Sequence, residues 1–354
     1  MNIIITGSSG FIASNFLDLY SASFSTCTVL VRKKNKNLAK YTNVKQVIWN
    51  LNDPIEAKIS SNTVFIHTAY DSTNLKNNLA GLKNCIDFIQ KNAITKFVYL
   101  SSFSVYNPFF RGKLTENSAY STLHDPYSHT KIQLEKYLKK VCETTLKNST
   151  VIAIQPTIVY GLWGNWSLHA IKTLHAKSIL LPDGICSPVH VNDVAKAINL
   201  SCLADIPMAF HKILISSKEN ISWYSFYKNH GKIIEKALPI KSTRIVLVNK
   251  FHENYIKNLI YTLFFSKTGV FFTKLLMPLL RKLKPINTSA INIKDIIAQG
   301  KLIAEFIPYG MNRIVHKTKF DIDISKAENL IGFIPENTLE NSLNSLKTKF
   351  NHEK

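Results

Sequence analysis

Tyr127 and Lys131 stand four residues apart in Tyr127-Ser128-His129-Thr130-Lys131, just after Pro126 and at the start of a helical pattern. That spacing puts two side chains on one helical face. An ammonium beside a phenol stabilises the phenolate and lowers the phenol's pKa. A tyrosine so tuned can take or give a proton near neutral pH while hydride moves to or from a nicotinamide. The spacing alone is common by chance, and a surface pair is its bland explanation. What strengthens it is an upstream strand ending Val98-Tyr99-Leu100-Ser101-Ser102, because a hydroxyl at that strand end could hydrogen-bond the reacting oxygen.

A second group of residues could hold the dinucleotide that such chemistry needs. Gly7-Ser8-Ser9-Gly10-Phe11-Ile12-Ala13 follows the first apolar run and opens a helical pattern. One glycine permits the tight turn, the next lets backbone approach a pyrophosphate, and a small residue, here Ala13, lets helix pack on strand. Helix N–H groups then point at the phosphates. The second strand pattern ends Val31-Arg32-Lys33-Lys34. An acid there would suit a free ribose 2′-hydroxyl, whereas Arg32 and Lys33 suit a 2′-phosphate and so lean toward NADP(H).

Elements that could position these groups alternate along the first two hundred residues. Strand patterns fall at 2–6, 27–32, 45–49, 63–67, 96–101 and 150–155, short and rich in Val, Ile or Phe with little polar alternation. Strands buried on both faces read this way. Helical patterns fall at 10–20, 75–91 and 127–146, then at 165–176, 190–204, 222–236, 323–331 and 338–349. The expected fold is α/β, a Rossmann-type doubly wound parallel sheet with a smaller, mostly helical C-terminal substrate-binding region. The expected division is 1–160 for the dinucleotide-binding domain, with 186–204 returning to it, and 161–354 for the substrate region.

Composition narrows the classes. Lys plus Arg number 44 against 23 Asp plus Glu, a net charge of +21, with 45% hydrophobic residues. The chain is globular in composition, and its charge asks for an acidic partner or for a lysine-rich surface. No aromatic-basic RNA motif, zinc spacing or convincing helix-turn-helix supports nucleic acid. The five cysteines (27, 85, 142, 186 and 202) are scattered without a CxxC pair, which fits a reducing compartment and no metal site. No signal peptide is read at the N-terminus, and no stretch offers the roughly 20 apolar residues of a membrane span.

The motifs together resemble the extended short-chain dehydrogenase/reductase family, in its NAD-dependent epimerase/dehydratase branch. Thr6 to Ala13 resembles its TGxxGxxG turn, and Phe65-Ile66-His67-Thr68-Ala69 its His-x-Ala strand. Asn78 to Asn84 resembles its N-x-x-G-T-x-N helix, with Leu82 where Thr is usual. Leu100 to Tyr106 resembles its S-S-x-x-V-Y-G segment, and Pro156 to Gly161 the stretch after the sixth strand. Pro188 to Ala195 resembles V-H-V-x-D-V-A, and 323–335 the closing D-x-S-K-A…L-G-x-x-P signature.

The resemblance implies that Tyr127 is the catalytic acid/base, Lys131 its electrostatic partner and ribose ligand, and Ser102, four places before Tyr106, the hydroxyl that orients the substrate oxygen. It implies NAD(P) contacts from Gly7, Ser9, Gly10, Phe11, Ile12, Arg32, Asn50, Leu51, Thr68, Ala69, Tyr127, Lys131 and Pro156. His67 and His190 read as structural, and His129 as a solvated helix residue.

Departures from the family pattern narrow the chemistry. Phe103 and Ser104 stand where its dehydratases carry Asp-Glu, and neither can perform the elimination, so 4,6-dehydration is disfavoured. Asn50 replaces an Asp that meets adenine, and Gln155 replaces the Arg usual before Pro156. The expected function is an NAD(P)-dependent epimerase or reductase acting on a sugar nucleotide for a surface polysaccharide. The rivals are the same chemistry on a lipid-linked sugar or sterol-like alcohol, and a non-catalytic NAD(P) sensor.

The apolar and basic segment 251–284 reads as a lid, a dimer contact or a peripheral membrane helix. The expected partners are the small-molecule substrate and a second copy in a homodimer, without nucleic acid. The expected location is cytoplasmic, with contact to the inner membrane face as the variant.

Overall fold

The structure is a computed structural model and describes residues 1–106, 112–121, 126–173, 178–182, 184–234, 244–248, 304–305 and 320–344. In chain order the strands are β1 (Asn2–Thr6), β2 (Thr26–Val31), β3 (Val44–Ile48), β4 (Thr63–His67), β5 (Lys96–Leu100), β6 (Gly112–Leu114), β7 (Thr150–Pro156), β8 (Ile158–Tyr160), β9 (Ser178–Pro182), β10 (Ile185–Cys186), β11 (Pro188–His190), β12 (Phe210–Ile215), β13 (Ile221–Ser222), β14 (Arg244–Val248), β15 (Ala304–Glu305) and β16 (Phe320–Ile322). The helices are α1 (Phe11–Tyr20), α2 (Leu75–Lys91), α3 (Pro126–Thr144), α4 (Asn165–Thr173), α5 (Val191–Leu203), α6 (Trp223–Ile234) and α7 (Ser325–Ile331).

Seven strands form one parallel sheet in the order β12-β7-β5-β4-β1-β2-β3. Alternate residues of a strand face opposite sides, and here both sides are apolar. Ile3, Ile5, Ile66, Val98, Ile152 and Ile154 enter one core, where α1 adds Phe16 and Leu17 and α5 adds Val194 and Ile198. Ile4, Phe65, Phe97, Tyr99, Val151 and Ala153 enter the other, where α2 adds Leu82, Ile86 and Ile89 and α3 adds Leu134 and Leu138. Each such buried Val, Leu, Ile or Phe side chain contributes about 1.5–3 kcal/mol. The apolar runs without polar alternation are thus explained by helices on both faces.

Strand order reverses at β1, which has β2 on one side and β4 on the other. A crevice opens at such a switch point, outside the carboxyl ends of the strands. Register aligns those ends: Thr6 pairs with His67, and His67 with Tyr99. Gly7, Thr68 and Leu100, each the next residue along, therefore sit side by side at the edge of the crevice.

A third apolar cluster is separate from these two. It holds Phe103, Tyr106, Ile132, Tyr160, Trp223, Phe226 and Tyr227, drawn from segments after β5, on α3, on β8 and on α6. The seventh strand, β12, lay outside the expected set. Its first half, Phe210-His211-Lys212, is only half-buried on the sheet edge, and the apolar signal begins at Ile213. Segment 251–284 lies outside the described residues. Among the described residues no helix is long and apolar enough to cross a membrane.

Candidate active site

The glycine turn is shaped by contact with β4. Gly7 adopts φ 71°, and a Cβ there would stand 2.7 Å from the Ala69 nitrogen and from Thr68 Oγ1. The turn closes when Gly10 N–H donates to the Gly7 carbonyl at 2.8 Å. Gly10 caps α1 without a side chain, and the first helical bond runs from Ser14 N–H to Gly10 O. The amides of Phe11, Ile12 and Ala13 precede it, so they have no intrahelical acceptor. Ser8 Oγ is buried without a hydrogen-bond partner. An open helix N-terminus, a bare glycine turn and an orphaned hydroxyl suit a bound pyrophosphate. Phe11 is held from the other side, since a side chain at Gly164 would come within 2.8 Å of its ring. Ile12 packs on the core beneath.

The end of β4 is locked to β1. Thr6 Oγ1 accepts from the Thr68 and Ala69 amides at 3.2 and 3.1 Å, and Thr68 Oγ1 donates to the Thr6 carbonyl at 2.6 Å. The Thr6 proton is then left for His67 Nδ1 at 2.8 Å, which assigns the ring proton of His67 to Nε2. Burial, with a smaller push from Lys131, lowers the His67 pKa to about 3, so the ring is neutral. His67 is a strut of the crevice wall.

A cleft of about 1270 Å³ runs from the glycine turn past the ends of β2 and β3 to Tyr70. Gly7, Ser9, Gly10, Arg32, Asn50, Leu51, Thr68 and Ala69 all line it, as do Lys33, Lys34 and Lys36. The four cations are exposed, and none forms an ion pair with a described residue. Leu51 enters because α2 carries Gly81, whose absent side chain would overlap Leu51. Asn50 Nδ2 donates to Asp53 Oδ2 at 3.0 Å, so part of its amide is spent inside the turn.

Beyond Tyr70 stands the tyrosine–lysine pair. Tyr127 is 40% exposed, whereas Lys131 is only 3% exposed. Lys131 Nζ donates to the Leu100 carbonyl at 2.7 Å and reaches Tyr99 Oη at 3.4 Å. It lies 4.9, 5.0 and 5.8 Å from the ring centroids of Tyr70, Tyr99 and Tyr127. Tyr70 meets Tyr127 edge to face at 5.1 Å. Burial lowers the Lys131 pKa to about 7, with Glu135 pulling it back up.

The two serines after β5 differ. Ser102 begins a 3-10 turn, and its Oγ accepts from Ser104 N–H at 3.2 Å, leaving its own proton to donate elsewhere. Ser101 Oγ donates instead to the buried carboxylate of Glu135.

The crevice thus gathers Gly7, Ser9, Gly10, Arg32, Asn50, Leu51, Thr68 and Ala69, with Tyr127 and Lys131 past Tyr70; Phe11 and Ile12 open α1 beside it and do not line it. Pro156 is buried in β7 and does not line the cleft. His129 is half-buried, not solvated, because α3 turns that side partly inward. Sequence reasoning passed over Tyr70, which only the β4–β5 register brings to Lys131, and the Leu100 carbonyl, which no side chain advertises. Glu135 was passed over too; its place one helical turn beyond Lys131 is the signal that could have found it.

The chain matches the NAD dependent epimerase/dehydratase family over residues 3–205. It belongs to that family. The UDP-glucose 4-epimerase of Vibrio cholerae is 24% identical over 248 residues, spanning 62% of this chain and 72% of the relative. MoeE5, solved with UDP-glucuronic acid and NAD, superposes with a TM-score of 0.65 at 13% identity, covering 100% of both chains. The UDP-N-acetylglucosamine 4-epimerase from Bacillus cereus gives 0.63 at 13% identity over 99% of each. At these identities the structural likeness is one of fold, and membership of the epimerase/dehydratase family rests on the match of 3–205. Like other members of that family, the chain is an enzyme of the extended short-chain dehydrogenase/reductase class.

Proposed function

We propose that the protein is an NAD(P)-dependent epimerase or reductase acting on a hydroxyl or keto group of a sugar nucleotide, of the kind that feeds surface polysaccharide synthesis in the cytoplasm. The observation that carries the reading is the buried Lys131 ammonium beside the exposed Tyr127, both against Tyr70, which lines a cleft that begins at an open helix N-terminus. The cleft residues fit a dinucleotide, and a bound nicotinamide would supply hydride acceptance and return. Tyr127 Oη takes the proton of the substrate hydroxyl as hydride leaves its carbon. Lys131 stabilises the phenolate through space, and its hold on the Leu100 carbonyl fixes its position. Ser102 donates a hydrogen bond to the reacting oxygen and keeps its proton. Hydride returned to the opposite face of the sugar gives epimerisation, whereas exchange of the cofactor gives net reduction or oxidation.

Phe103 and Ser104 carry no acid or base for elimination, which favours these outcomes over dehydration. Arg32, Lys33, Lys34 and Lys36 along the cleft support a lean toward NADP(H), since a 2′-phosphate needs cations and the end of β2 offers no carboxylate. The test is mass spectrometry of the purified protein for co-purified dinucleotide, followed by a panel of sugar nucleotides. Tightly held cofactor with isomerised product identifies an epimerase, and freely exchanging NADPH identifies a reductase. Absence of both dinucleotide binding and turnover would overturn the reading.

A further inference from the structure

Glu135 is fully buried, at 0% exposure, on the same inward stripe of α3 as Lys131. It sits one turn further along the helix. Ser101 Oγ donates to Oε1. Gln155 Nε2 donates to Oε1 and Oε2 at 2.9 and 3.1 Å, and Tyr120 Oη donates to Oε2 at 2.9 Å. The Gln155 amide is oriented by Tyr106 Oη, which donates to its Oε1 at 2.7 Å. These donors favour the carboxylate, against the burial that pushes its pKa up. Yet no described cation forms an ion pair with Glu135.

A buried charge without a paired cation is costly, and it persists only where something depends on it or donors hold it. Gln155 stands where the family resemblance places an arginine, so this chain hydrogen-bonds the carboxylate without neutralising it. The charge is left to act on its neighbours. One is Lys212 of β12, which lies 4.8 Å from the Tyr120 ring centroid and 5.3 Å from that of Tyr106. The other is Lys131.

We propose that Glu135 is a positioning residue: the buried counter-charge that keeps Lys131 an ammonium beside Tyr127, and the anchor that holds Ser101 so that Ser102 faces the reacting oxygen. The role in catalysis rests on the function proposed above; the charge coupling does not. Burial drives Lys131 toward the amine, and Glu135 opposes it. Burial likewise pushes Glu135 up, while Ser101, Gln155, Tyr120 and Lys212 hold it down. The other titratable groups facing the pair are Tyr70 and Tyr99 around Lys131, neutral His67 beneath it, and Tyr106 beyond Gln155. Glu116, whose Oε1 accepts from the Leu214 amide at 2.8 Å, is a second acid that acts on Tyr106 from that side.

The test follows Lys131 directly. Full-length protein labelled with ¹³C at lysine Cε is titrated by NMR, and the Lys131 resonance is assigned by its loss in Lys131→Arg. In Glu135→Gln the Lys131 midpoint should fall, its proton affinity dropping about tenfold or more. Gln155→Arg keeps the carboxylate and neutralises it in place, so it should move the midpoint the same way. Folding of each variant is checked by thermal melting. In turnover assays the ammonium is lost as pH rises, so a lower midpoint moves the alkaline limb of kcat to lower pH while KM changes little. An unchanged Lys131 midpoint in either folded variant overturns the proposal. Failure of both variants to fold makes Glu135 structural and also overturns it. If no sugar nucleotide is turned over by the wild type, the functional reading falls while the NMR result stands by itself.

Discussion

Lys131 Nζ donates to the carbonyl oxygen of Leu100 at 2.7 Å, so a helix side chain is tied to the last residue of the strand that leads into Ser101 and Ser102. The bond crosses from α3 to β5 and fixes the ammonium relative to the strand-end hydroxyls. Tyr127, one turn back on the same helix, is the exposed member of the set.

Ser102 is expected to matter through its proton. Ser102→Ala should lower kcat by about 100-fold, the scale for losing one donor to a developing oxyanion, with cofactor affinity nearly intact. Steady-state kinetics together with a dinucleotide titration check it. Unchanged kcat would remove Ser102 from the proposed mechanism.

Gly7→Ala tests the turn. The substitution forces a side chain into φ 71° and within 2.7 Å of the Ala69 nitrogen, a backbone atom that cannot swing away. The strained conformation alone costs about 1–3 kcal/mol, and the contact adds to it. Urea unfolding should show the loss, and dinucleotide binding should weaken sharply. A variant with wild-type midpoint and affinity would mean the turn is looser than its geometry.

Arg32→Asp tests cofactor choice. A charge-assisted hydrogen bond to a 2′-phosphate is worth about 1.5–3 kcal/mol. The ratio of NADPH to NADH affinity should therefore fall by roughly tenfold to hundredfold. Dissociation constants from fluorescence titration measure it. If the wild type already prefers NADH and the ratio does not move, the basic run at 32–36 serves the surface and not the cofactor.

Acid should expose the cost of neutral buried histidines. His230 Nδ1–H donates to the Phe226 carbonyl at 2.8 Å, and Nε2 accepts from Ser167 Oγ at 2.9 Å. Burial lowers its pKa from 6.5 to about 4. A depressed folded-state pKa means that the unfolded chain binds more protons between those values. Stability from this group is thus present above pH 6.5 and is lost as pH falls toward 4. Buried Glu135, Glu116 and Asp193, whose carboxyls are pushed up, act in the opposite sense. The comparison therefore needs a variant: His230→Gln should flatten the slope of unfolding free energy against pH across this window. An identical slope would mean that His230 does not titrate there.

Much of the fold was legible because burial on both faces leaves a plain mark. Asn2–Thr6 and Thr63–His67 were read with the bounds they have, as was helix Leu75–Lys91, whose buried Asn78, Gly81, Leu82, Cys85 and Ile89 follow helical spacing. β12 escaped because an edge strand tolerates His211 and Lys212, which dilute the apolar run. Within the site, Gly7, Gly10, Tyr127 and Lys131 announce themselves by type and spacing. The Leu100 carbonyl cannot, being backbone, and Tyr70 reaches Lys131 only through strand register. Ser102 is singled out in sequence by its place four residues before Tyr106, whereas the bond of Ser101 to Glu135 shows only in the direction of its side chain.

The most direct test compares wild type with Tyr127→Phe on a nucleotide-sugar panel, following product by chromatography and the nicotinamide by its absorbance. Wild type should convert at least one nucleotide sugar to its epimer or its reduced or oxidised form. Tyr127→Phe should retain dinucleotide affinity and lose turnover. Full activity in Tyr127→Phe, or a wild type that binds dinucleotide yet alters no nucleotide sugar, would contradict the account.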